Sequence, residues 1–157
     1  MRSLSGVMPD IQSLRDVSPQ QLEQHKSQLP ELIYRRCRHV VAENDRVLRT
    51  AEALLAGDLA LVGQLMADSH RSLRDDYQVS CAELDVMVEI ASRMPSVIGA
   101  RMTGGGFGGC TINLVHADAT DTVQSAVAQE YEERTHIRPE IYVLSATDGV
   151  REITEAA

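Results

Sequence analysis

Lysine is nearly absent from this chain: Lys26 is the only one among 15 basic side chains in 157 residues. That excludes a Walker A phosphate loop, which ends in Gly-Lys-Ser/Thr because the lysine reaches the terminal phosphates and the hydroxyl holds magnesium. With a net charge of −8, the shortage also excludes a surface built to neutralise a phosphate backbone, so no nucleic-acid partner is expected. Tryptophan is missing, Phe107 is the only phenylalanine and aromatics make up 3%, so the core must be aliphatic. Cys37, Cys81 and Cys110 lie far apart without C-x-x-C or C-x-x-H spacing. They predict free, packing thiols in a reducing compartment and no metal ligands. No apolar run approaches the ~18 residues of a membrane span, and the start of the chain is too short and polar for a signal-peptide core. A cytoplasmic protein without membrane contact is the expectation.

What is present suits one ordinary domain, because 157 residues with a 43% hydrophobic fraction can bury a substantial core. Ser18-Pro19-Gln20-Gln21 reads as a helix start, with serine at the cap and proline in the first turn. After Pro30, apolar residues from Ile33 through Cys37, Val40 and Val47 to Leu54 and Leu55 recur at helical spacing and predict one long amphipathic helix ending at Gly57. Asp58 can cap a second helix with the stripe Val62, Leu65, Met66, Ser69 and Leu73, giving a close helical hairpin. Ser80 and Glu83 form a capping-box pattern, with Val79 and Leu84 as a staple, for a third helix starting at Cys81 and running to about Arg93.

The period then changes. Residues 97–103 and 110–116 are short β-prone runs, residues 118–134 carry Val123, Ala126, Val127 and Tyr131 at helical spacing, and alternation at 141–146 predicts a further strand. Helices followed by β-loop-β-α-β describe an α+β domain, helices layered on a small sheet.

Between the first two runs lies the densest feature, the stretch GARMTGGGFGGCTINLV at residues 99–115, which puts five of ten glycines into six positions. Gly104, Gly106 and Gly109 satisfy G-x-G-x-x-G. A dinucleotide fingerprint would need a helix to start there, and a strand follows instead. A protein-kinase loop would need a downstream strand lysine, H-R-D and D-F-G, none of which occurs. A plain hairpin turn needs one or two glycines, and each additional one costs roughly 0.5–1 kcal/mol of conformational entropy. The surplus points to backbone approaching a ligand or another backbone, through N–H groups alone.

The residues 99–110 resemble the third motif of the GHMP kinase superfamily in the form found in galactokinases. YRRCRHVVAEN (34–44), SHRSLRDDYQVSCAELD (69–85) and SATDGV (145–150) are also similar to galactokinase segments, in order and spacing. The resemblance implies a GHMP kinase C-terminal domain over residues 14–157, a ferredoxin-like small antiparallel sheet with helices packed on one face, preceded by an extension or fragment start at 1–13. It implies ATP and Mg2+ as cofactors, galactose as substrate and galactose 1-phosphate as product. Gly104, Gly105, Gly106, Phe107, Gly108 and Gly109 are thereby assigned to a loop closing over the nucleotide phosphates. Arg101, Thr103, Asp75 and Asp76 are implied as interdomain or supporting residues. The sugar-gripping motif, the serine- and glycine-rich phosphate motif and the catalytic aspartate of that family have no counterpart here. The expectation is therefore a C-terminal portion without catalytic or metal-binding residues of its own, inactive alone and partnered by an N-terminal half. A non-catalytic galactokinase-like module, or the C-terminal part of another GHMP sugar kinase, is the alternative.

Other polar groups leave several readings. Asp75 and Asp76 fit a base or metal pair, a solvated helix end or an interdomain contact. Arg35, Arg36 and Arg38 with His39 fit an anion site or surface ion pairs, and His70 fits a hydrogen-bonding core or interface residue. Phe107, at the tip of a bare loop, is expected to pack on another segment or a ligand.

Overall fold

The computed structural model describes residues 11–147 together with Gly6, Met8 and Gly149. Most of the extension assigned to residues 1–13, and Asp148 and Val150 of the SATDGV segment, lie outside the described residues.

Helix α1 (Pro19–Gln24) leads into the long α2 (Glu31–Ala56), α3 (Leu59–Ser72), a π-helical turn (Leu73–Tyr77) and α4 (Ala82–Ser92). Strands β1 (Val97–Thr103) and β2 (Cys110–Val115) follow, and α5 (Thr120–Thr135) closes the regular structure. The helix ends fall where the sequence places them. The Ser18 N–H donates to Gln21 Oε1 at 2.9 Å and the Gln21 N–H to Ser18 Oγ at 3.3 Å, a reciprocal cap. Gly57 takes φ 70° at the end of α2, and Asp58 Oδ1 accepts the Leu61 N–H at 3.0 Å. The start of α4 differs from the predicted box. Cys81 is its cap residue without a side-chain bond, and Ser80 Oγ donates instead to Asp85 Oδ1 at 2.5 Å. The hydroxyl has found a carboxylate, a stronger acceptor partner than a cap contact offers.

Two antiparallel strands make the sheet, paired from Val97 opposite Val115 to Thr103 opposite Cys110. Both α3 and α4 pack on β1, and α5 packs on α4. Ala100, Val88 and Ile90 share a core with Val123, Val127 and Tyr131 of α5, while Met102 sits between Leu73 and Leu84. A third cluster, built on Val17, Leu22 and Leu29, covers Tyr34, Cys37 and Val41 in the N-terminal half of α2. The apolar stripe of α2 is thus buried only at its start: Val47 and Leu48 are each 66% exposed and Leu55 is 90% exposed. Nothing in the described residues covers its second half.

The strand predicted at 141–146 is absent. Residues 137–147 belong to no regular element. Ile141 packs beside the α5 core and its carbonyl accepts Gln124 Nε2 at 3.2 Å, while Leu144 is 89% exposed. Alternation expresses suitability for a pleated surface, and a strand exists only when an edge pairs with it. Among the described residues no edge does.

Candidate functional site

The hairpin between β1 and β2 is the glycine stretch, and its backbone explains the composition. Gly104, Gly106, Gly108 and Gly109 take φ of 82°, 83°, 124° and 105°, and Phe107 takes 58°. Only at Gly106 does space forbid a side chain, since a Cβ would lie 2.2 Å from the Val79 carbonyl oxygen. The next residue uses that same oxygen: the Phe107 N–H donates to it at 2.7 Å. At Gly104, Gly105, Gly108 and Gly109 a Cβ would meet nothing within 4 Å. The loop is therefore pinned at one point and open elsewhere, around a concavity of about 630 Å³ lined by residues 103–110. Gly106→Ala is expected to cost about 2 kcal/mol, from left-handed backbone strain of about 1–2 kcal/mol plus the Val79 clash. Gly105→Ala, with ordinary φ and open surroundings, should stay within about 0.5 kcal/mol of the parent. Urea denaturation of the two variants checks this contrast.

Beneath Val79 lies a polar cluster. Asp76 is buried; its Oδ2 accepts from Arg38 Nε at 3.2 Å and from Ser72 Oγ at 3.0 Å, and Arg38 Nη2 donates to Oδ1. His39 is buried with Nδ1 3.0 Å from Ser72 Oγ, and its ring stacks on Tyr77 at 4.5 Å. The single Ser72 proton goes to Asp76, so Ser72 accepts from a protonated His39 Nδ1. Burial, aided by Arg46, lowers the His39 pKa to about 4, so the ring is neutral at pH 7. Arg36 Nη1 donates to the Asp76 carbonyl at 2.7 Å and Nη2 to Gln78 Oε1 at 2.9 Å, while Arg35 donates to the Asp75 carbonyl. Arg35 and Arg36 are thus backbone clasps rather than members of the surface ion pairs or anion site read from sequence, whereas Arg38 does form an ion pair, with Asp76. An adjoining cleft of about 270 Å³ is lined by Arg38, Arg46 and Arg71 together with Asp68, Asp75 and Asp76.

The other sequence candidates divide accordingly. Asp75 is exposed and pairs with Arg74, whose hydrogen bonds hold its carboxyl below the usual value. Asp76, for which a solvated helix end was one of the readings, is instead internal, and Arg38 and Ser72 satisfy its charge. Thr103 ends β1 and lines the concavity, whereas half-buried Arg101 turns towards α2, with Nη1 3.8 Å from Glu43 Oε2. Phe107 is 77% exposed within this chain. His70 is the buried hydrogen-bonder anticipated: its Nδ1 accepts the Met102 N–H at 3.3 Å. Cys37 is buried and Cys81 half-buried, but Cys110 is exposed at the end of the loop and does not serve packing. Among the described residues no group of three or more His, Cys, Asp or Glu is placed to hold a metal, and no helix is long and apolar enough to cross a membrane. The part played by Val79 had no signal in the sequence, since it acts through a carbonyl that every residue has.

A helix-rich α+β domain with a small two-stranded antiparallel sheet is the architecture of the GHMP kinase C-terminal domain. Residues 50–133 match the family model described as GHMP kinases C terminal, and the chain belongs to that family. Its similarity is to galactokinases: it is 46% identical over its whole length to the galactokinase of Roseiflexus sp. and 45% identical, over 90% of its length, to that of Glaesserella parasuis. The structure of Lactococcus lactis galactokinase complexed with galactose superposes on 87% of the chain with a TM-score of 0.81 and 40% identity. L. major mevalonate kinase in complex with R-mevalonate matches 76% of the chain with a TM-score of 0.53 and 26% identity. The chain spans about 40% of the length of the two curated galactokinases, and it covers 36% of the Lactococcus chain.

Proposed function

We propose that this chain acts as the C-terminal part of a cytoplasmic galactokinase, with residues 14–157 forming the domain and the glycine loop closing over the phosphates of ATP. The observation that carries the reading is the loop itself, with bare backbone in left-handed conformations and open space where side chains would stand. Such a surface fits a polyphosphate, because N–H groups can approach the oxygens directly and no side chain intervenes. ATP supplies the γ-phosphoryl group that the anomeric hydroxyl of galactose receives. Residues 104–109 would orient the phosphates and exclude water, and Thr103 would edge the same concavity; positioning of this kind carries much of phosphoryl transfer. Arg101, Asp75 and Asp76 would support the loop or meet the other half. No residue of this chain is assigned to proton transfer or to Mg2+. Those roles fall to an N-terminal partner half, against which exposed Phe107 and Ile112 would pack.

The purified chain is expected to show no galactose-dependent ADP formation with ATP and Mg2+. Mixed with the N-terminal portion of the Roseiflexus galactokinase, it is expected to gain that activity, and to lose it again with Gly106→Ala. Turnover by the chain alone would refute the need for a partner. Nucleotide binding by the mixture without turnover would favour a non-catalytic galactokinase-like module.

A further inference from the structure

We infer that Asp76 is a positioning residue for the glycine loop: α2 grips Asp76, Asp76 fixes the π-helical turn, and the turn holds the loop through the Val79 carbonyl. The inference rests on the proposed function for what the loop does to a ligand, and on contacts alone for the linkage. Asp76 is held at both ends, its carboxylate by Arg38 and Ser72 and its backbone carbonyl by Arg36. The cluster continues to His39, so one buried network ties α2, α3 and the turn together. The turn then closes on itself, with the Val79 N–H donating to the Leu73 carbonyl at 3.1 Å and Gln78 in a left-handed conformation at φ 59°. That closure fixes the direction of the next carbonyl, which belongs to Val79.

Among the described residues, the bond from the Phe107 N–H to Val79 is the only backbone hydrogen bond that the loop makes outside its hairpin. A loop whose glycines leave it free elsewhere therefore takes its tip position from a single carbonyl. Gly106 is the matching adaptation on the loop, because any side chain there would push the tip off that oxygen. The exposed Phe107 side chain is aimed by the same anchor. π-Helical turns interrupt α-helices at a cost and recur at functional sites, which this linkage explains here.

Backbone amide exchange measured by NMR on the 15N-labelled chain tests the linkage without any nucleotide. In the parent, Phe107 should be the slowly exchanging amide of the loop. Asp76→Asn keeps the shape and removes the charge that Arg38 binds; it is expected to speed Phe107 exchange at least tenfold while Val127 and Tyr131 in α5 change less than twofold. Gln78→Asn tolerates the left-handed backbone but cannot reach Arg36, and as a surface change it leaves the fold intact. It is expected to speed Phe107 exchange about threefold, again selectively. Equal acceleration at Phe107 and Val127, or no acceleration at Phe107 in either variant, would overturn the inference. Because the readout contains no ATP, a linkage that fails is distinguishable from a loop that does not serve phosphate.

Discussion

Gly63→Ala is expected to destabilise the chain by about 2–3 kcal/mol, although alanine is the better helix former by about 1 kcal/mol. Gly63 lies inside α3, where the helix crosses β1, and a Cβ at that position would stand 1.9 Å from the Ile98 carbonyl oxygen and 3.0 Å from its carbon. No rotamer relieves a Cβ, so helix and strand must separate by more than an ångström, and the loss of α3 packing along β1 outweighs the gain in propensity. The partner position is also close, though less so: a Cβ on Gly99 would approach Gly63 Cα to 2.9 Å and Met66 Sδ to 2.8 Å. Met66 can move its sulfur, but Gly63 Cα cannot yield. The strand is bulged between Val97 and Gly99, which turns the Ile98 carbonyl out of the regular ladder and towards the helix. For a domain of this size the cost corresponds to a fall in Tm of roughly 5–10 °C. Thermal unfolding followed by circular dichroism measures it, with Gln64→Ala on the exposed side of the same helix as the control expected to shift by less than about 2 °C. An unchanged Tm for Gly63→Ala would mean that the helix and strand are not in backbone contact.

Gly63 marks the boundary between what the sequence disclosed and what it could not. The reciprocal Ser18 and Gln21 cap, the Gly57 stop and the Asp58 cap involve residues within a few positions of one another, and each formed where local chemistry placed it. The two strands and the glycine loop were legible for the same reason. Contacts between distant segments were not. Periodicity showed that α2 has one apolar stripe from Ile33 to Leu55, yet only the arrival of Leu22 and Leu29 decides that its first half is buried. Alternation at 141–146 was a strand without a partner edge. Asp76 looked like part of a solvated acidic pair because nothing local reveals that Arg38, one helix earlier, will meet it. In the candidate site, the glycines announced a backbone surface, while Val79, the residue that fixes it, contributes only a carbonyl.

Acidification is expected to cost the chain up to about 3 kcal/mol between pH 6.5 and 4, with His39 as the main source. Its imidazole is enclosed by Ser72 and Tyr77; burial is the largest influence on it, the Arg46 charge adds to that, and Asp76 opposes both. The result is a folded pKa of about 4 against an unfolded value near 6.5. Within that window the unfolded chain binds a proton that the folded chain refuses, so stability rises with pH. The contribution is fully present above pH 6.5 and is lost as pH falls towards 4, at about 1.4 kcal/mol per pH unit. His70 acts in the same direction, its pKa lowered by burial against the partial opposition of Asp85. Urea midpoints at pH 7, 5.5 and 4.5 should therefore fall steadily, and His39→Gln, which keeps an N–H able to reach Ser72, should flatten the slope by at least half. The His39 ring resonances should also stay unshifted through pH 6.5. A His39 titration near 6.5, or an undiminished slope in His39→Gln, would show that the ring is not sealed into the cluster and that the acid sensitivity arises elsewhere.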